Sequence, residues 1–159
     1  MNHIYAEIGR AVIASQTFEI CFIATSEGVR MIADPDYRKN TEGYISDKAW
    51  KQRASEIVKG LAKDGAIDMG LEKRFLDLIE NRNVLIHRWV MTHGISDDPD
   101  KEQPLLTFAK TVHAEADALT LMMAEYMIKH AYPEKYAVDQ ARMVNMFNLM
   151  HVDTKGSEG

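Results

Sequence analysis

Residues 80–89 read ENRNVLIHRW and bring together two side chains with distinct chemistry. Arg82 carries a permanent charge on a planar fork that fits phosphate or carboxylate oxygens, and His87 carries an imidazole that exchanges protons near neutral pH. Counted at 100° per residue from Leu71, Arg82 falls within about 20° of the centre of an apolar stripe made by Leu78, Ile79, Leu85 and Ile86. A guanidinium in that position cannot shed its proton and needs an opposite charge or dense hydrogen bonding. The same count along the first apolar-periodic segment places Glu19 beside Val12, Ser15, Phe18 and Phe22, again inside an apolar stripe. The two misplaced charges predict one bidentate or near-bidentate ion pair, Glu19 with Arg82. His87 falls about 140° around the helix from Arg82, on a polar stripe with Glu80 and Asn83. Leu76 and Val84 flank that stripe, so Glu80, Val84 and His87 are the expected subunit contact.

The elements that must hold these groups are helices. Ile4 to Ile32 repeats apolar residues at three- and four-residue steps, and Pro35 ends the pattern. After the polar connection 35–46, Ser46 is placed to cap a second helix to about Ala62 with Trp50, Ala54, Ile57, Val58 and Leu61 inward. A third helix spans roughly Leu71–Met91 and carries the motif. The run THGISDDPDKEQP reads as a loop rich in helix breakers, and a fourth helix extends from Leu105 to near Pro133. A short fifth helix is expected over VDQARMVNMFNLM, with Val138, Ala141, Met143 or Val144, Phe147 and Met150 on one side. The expected fold is therefore all-α: an antiparallel bundle of four main helices plus a short C-terminal helix, a single domain over 1–152, with a disordered tail at 153–159.

At 159 residues the chain is long enough to bury one core, and 46% hydrophobic against 27% charged residues is ordinary for a folded domain. Cys21 stands alone, so no internal disulfide forms, and the surrounding sequence carries no nucleophile signature. No signal-like start or long apolar run is evident, so a cytoplasmic protein without membrane contact is expected. The net charge of −5 disfavours broad attraction to nucleic acid and suits a basic protein partner. His87 and His93 lie six apart without an acid at ligand spacing, and His113 and Glu115 point to different sides of a helix, so no metal is expected. KDGAIDMG lacks the lysine–serine pair of a phosphate loop, and SDDPDKE lacks the ligand spacing of a calcium loop, so no cofactor is expected either. Ten methionines are read as helix-compatible filler in the core.

RNVLIH, an arginine and asparagine followed by histidine late in the third helix of a small helical bundle, resembles the Arg-x4-6-His signature of HEPN domains. The resemblance covers about residues 1–132. It implies a homodimer whose motifs meet in a shared cleft and, in active members, metal-independent cleavage of RNA. Arg82 would then hold the scissile phosphate, Asn83 would position substrate or histidine, and His87 would act as general base or acid on a ribose 2′-hydroxyl. The toxin subgroup regulated by nucleotide transfer carries tyrosine two residues after the histidine. Trp89 stands there and has no hydroxyl, so that regulation does not carry over.

Three functions are compatible with these residues. One is a HEPN-like endoribonuclease of a toxin–antitoxin or defence system. Another is a non-catalytic acidic immunity protein or antitoxin that covers a toxin nuclease, with Arg82 serving only as the structural partner of Glu19. The third is a structural dimer or adaptor with no nucleic-acid role.

Overall fold

The computed structural model describes residues 2–94 and 98–131, and every regular element among them is helical. Helix α1 (Asn2–Ala33) stops where the sequence requires it to. Asp34 takes an extended conformation before Pro35, and its carboxylate accepts hydrogen bonds from the backbone N–H groups of Asp36 and Tyr37, starting helix α2 (Pro35–Asn40). Tyr37 then reaches back: its hydroxyl donates to buried Glu27 at 2.5 Å, and the Arg30 guanidinium lies 3.8 Å over its ring.

The expected second helix is two pieces, α3 (Asp47–Trp50) and α4 (Ala54–Lys63). Ser46 does cap α3, accepting from Ala49 N–H. Lys51, Gln52 and Arg53 supply no apolar side chain to carry the stripe across, and all three are exposed. Ala49 is buried in place of Trp50, which is largely exposed. Helix α5 (Met69–Asn83) starts at Asp68, whose side chain accepts from Leu71 N–H at 2.7 Å. It leads into a single π-helical turn, Val84–Arg88, and then α6 (Trp89–His93).

Helix α7 (Pro99–Ala131) begins six residues before the expected start. The apparent breakers of DPDKEQP are helix starters here. Asp98 accepts from Asp100 N–H, Pro99 occupies the first turn where a backbone donor is dispensable, and Asp100 and Glu102 complement the positive end of the helix. The expected C-terminal helix and the 153–159 tail lie outside the described residues.

Phe18 and Phe22 of α1 meet Phe75 of α5, with ring centroids 5.6 and 5.0 Å away. Val58, Leu78, Val112 and Leu119 complete the fully buried centre. Ala11 and Ser15 on α1 and Ala109 and Ala116 on α7 are equally buried, so small residues let the two long helices approach closely. The order of their contacts departs from the antiparallel expectation. Near the start of α1, Glu7 meets His113; near its end, Gly28 lies against Met127, so α1 and α7 run parallel. Helix α5 opposes α7, since Arg74 at its start pairs with Glu115 and Trp89 beyond its end stacks on Phe108. A periodicity specifies which face is apolar, not the direction of the neighbour that covers it.

By length and apolar composition alone, α1 resembles a membrane-crossing helix. The apolar residues of one face are committed to the core.

Glu7 is a second buried acid of α1, and a cross-helix tie depends on it. His113 Nδ1 donates to Glu7 at 3.3 Å, Arg10 donates to it at 3.0 Å, and His113 Nε2 faces Asp117 at 3.3 Å. Burial alone would raise the Glu7 carboxyl, but the hydrogen bonds and charges of His113 and Arg10 outweigh it and hold the group below its ordinary 4.5. A depressed folded value means that Glu7 contributes stability in full above 4.5 and loses it as the pH falls through the folded value. Thermal melts taken below pH 4.5 should therefore show a steeper loss with falling pH for the wild type than for Glu7→Gln. Phe75→Ala should cost about 3–5 kcal/mol in urea unfolding, because it empties the meeting point of α1 and α5.

Candidate functional site

The motif lies where α5 gives way to the π turn. Trp89 N–H donates to the carbonyl of Val84, five residues back, instead of to the fourth. A π turn inserts one residue into the helical register, and such turns recur at functional positions. Its effect is visible in an ion pair. In an unbroken helix His87 would stand over Glu80, seven residues away and within about 20°. Arg88 takes that place, donating to Glu80 across eight residues. The expected stripe of Glu80, Asn83 and His87 is thus not formed. His87, within the turn itself, is rotated part of the way toward Arg82 from the about 140° that an unbroken helix would give.

Arg82 packs between α5 and α1 and its side chain retains 23% of its exposure. Its Nη1 lies 3.9 Å from Glu19 Oε1 and donates to Asn83 Oδ1 at 3.3 Å. The pair with Glu19 is therefore present, but as one long contact where a bidentate fork was expected, because Asn83 competes for the same nitrogen. The Arg82 Nε is buried and has no partner among the described residues. Glu19 is itself 30% exposed, whereas Glu7 and Glu27 are the buried acids of α1. The spacing Ile4, Glu7, Ala11, Ala14, Phe18 puts Glu7 at a core position and was the available signal for it.

His87 is exposed and makes no hydrogen bond with any described residue. Asn83 is half-buried, with its amide oxygen turned to Arg82. Val84 is half-buried, and Glu80 is exposed and held by Arg88, so the expected contact set Glu80, Val84 and His87 does not form one free surface. Trp89 is sandwiched between His93, at 4.1 Å, and Phe108, at 5.2 Å, and serves to fix α6 on α7. Cys21 is half-buried and burial pushes its thiol up, away from the reactive form.

Other concavities, two of them on the bundle's flanks, compete with the motif. An apolar cavity of about 150 Å³ between Phe22, Val29, Leu61, Leu71 and Met123 contains no charged group. The groove between α5 and α7 is lined by Arg74, Asp77, Asn81, Lys110 and Glu115, but its arginine is already held by Glu115 in two hydrogen bonds. Among the described residues, no group of three or more His, Cys, Asp or Glu side chains is placed to hold a metal ion. Chemistry at the motif would rest on a solvent-facing imidazole able to exchange protons and a guanidinium one turn away able to hold an anion. No family model matches the chain, and neither a curated protein nor a solved structure matches it.

The long, part-exposed Glu19–Arg82 contact adds little to stability. Arg82→Leu should change the unfolding free energy by less than about 1 kcal/mol, because it also removes the unpartnered Nε from the interior. A loss above about 3 kcal/mol in urea titration would assign the arginine to the fold alone.

Proposed function

We propose that the chain is a HEPN-like endoribonuclease that acts as a dimer and needs no metal, belonging to a toxin–antitoxin or defence system, with α1, α4, α5–α6 and α7 as the four segments of its bundle. The observation that supports this reading is the π turn, which rotates an exposed His87, without a hydrogen-bond partner among the described residues, toward the side of Arg82. A histidine serving only the fold would be expected to hydrogen-bond or pack.

In the proposed reaction His87 takes the proton of a ribose 2′-hydroxyl. The 2′-oxygen attacks the adjacent phosphorus, the bond to the 5′-oxygen breaks, and the leaving oxygen is protonated from solvent. The products are a 2′,3′-cyclic phosphate and a 5′-hydroxyl. Arg82 supports the charge that develops on the phosphoryl oxygens through the part of its side chain that stays open to solvent, 23% of it. Asn83 holds the guanidinium in place through its amide oxygen.

The net charge of −5 favours a second reading, an acidic immunity protein or antitoxin bound to a basic nuclease. One experiment separates the two. Purified protein incubated with total RNA in the presence of a chelator should yield fragments ending in 2′,3′-cyclic phosphate. His87→Ala should lower that activity by at least about 100-fold, as loss of a general base does. Intact RNA at high protein concentration, or full activity in His87→Ala, would defeat the enzyme reading.

A further inference from the structure

Helix α1 is apolar on two sides. Its inner face packs into the core through Ala11, Ala14, Phe18 and Phe22. Its outer face carries Ala6, Gly9, Ile13, Thr17, Ile20 and Ala24, spaced by three and four residues along a single seam. Ile13 and Ile20 are 65% and 56% exposed, and no described element covers them. No charged residue falls on the seam. Arg10 borders it, and its guanidinium is drawn off to Glu7.

We infer that this face is covered by the same face of a second copy, with the two α1 helices antiparallel. A two-fold interface requires a patch that matches itself when reversed. Reversed about a point between Gln16 and Thr17, the stretch from Gly9 to Ala24 does at its four apolar positions: Ile13 meets Ile20 of the partner subunit, and Gly9 meets Ala24 of the partner subunit, large on large and small on small. Parallel pairing in register would set Arg10 and Arg30 each beside its own copy, and antiparallel pairing separates them and opposes the helix dipoles favourably. An uncharged seam offers nothing to a strongly charged partner. From Ala6 to Ala24 the seam is about 27 Å long and about 10 Å wide, which is small for a permanent interface, so the dimer is weak and concentration-dependent.

This places the second copy on α1, away from the Glu80–Val84–His87 face. It rests on the dimeric state in the proposed function and is independent of the chemistry.

Sedimentation of the full chain should show a monomer–dimer equilibrium across concentration, and Ile13→Glu or Ile20→Glu should leave only monomer with an unchanged helical spectrum. In a Cys21→Ala background, Ile13→Cys combined with Ile20→Cys should oxidise to a covalent dimer, and Ile13→Cys alone should not. His87→Ala should dimerise as the wild type does, so a failure of the nuclease reading leaves this result standing. A wild type that stays monomeric at its highest soluble concentration would overturn the proposal. So would a dimer that survives both glutamate variants, or binding of the wild type to phospholipid vesicles that Ile13→Glu abolishes.

Discussion

Two helices of 32 and 33 residues that lie side by side and point the same way impose the rest of this architecture. Parallel neighbours cannot be joined by a tight turn, so the chain must travel back the length of the bundle before α7 can begin. The return is made in stages. Helices α2, α3 and α4 each touch α1, and α5 with α6 then runs opposite to both long helices, filling the space between them. The phenylalanine cluster sits where that returning helix crosses α1, and the Arg74–Glu115 and Trp89–Phe108 contacts fix its two ends on α7.

The motif lies on this returning helix. Its side chains serve two masters: Leu78 and Leu85 must face the core seven residues apart, and Trp89 must reach Phe108. One extra residue in the turn after Asn83 rotates the helix beyond it, so Arg88 takes the position over Glu80 and His87 is left facing solvent. The irregularity is local, yet it decides whether arginine and histidine act on one side of the helix or on two.

Much of the helical organisation was legible in the residues. The stop at Pro35, the cap at Ser46, the apolar stripe of α5 and the proximity of Glu19 to Arg82 are all consequences of spacing and cap chemistry. The features that the sequence did not reveal have physical causes. The π turn is signalled by no residue type, because Val84–Arg88 contains neither proline nor glycine, and a fixed 100° step cannot anticipate it. The start of α7 was obscured because proline both breaks and begins helices, and only the Asp98 cap distinguishes the two uses. The parallel direction of α1 and α7 was hidden because burial patterns are blind to polarity. Glu7 was overlooked because its tie to His113 joins residues 106 apart.

That last separation bears on how the molecule is made. Helix α1 emerges from the ribosome well before α7, apolar on both sides, while the helix that covers its inner face is still to be synthesised. At about 5–20 residues per second, the segment that reaches His113 emerges roughly 5–20 seconds after Glu7. During that interval α1 has only the short helices of the return segment for cover. The Glu27–Tyr37–Arg30 clamp, closed within ten residues of chain, is the first tertiary contact available to it. The nascent protein is thus most exposed to wrong partners early, and loss of Tyr37 would lengthen that exposure without touching the finished core.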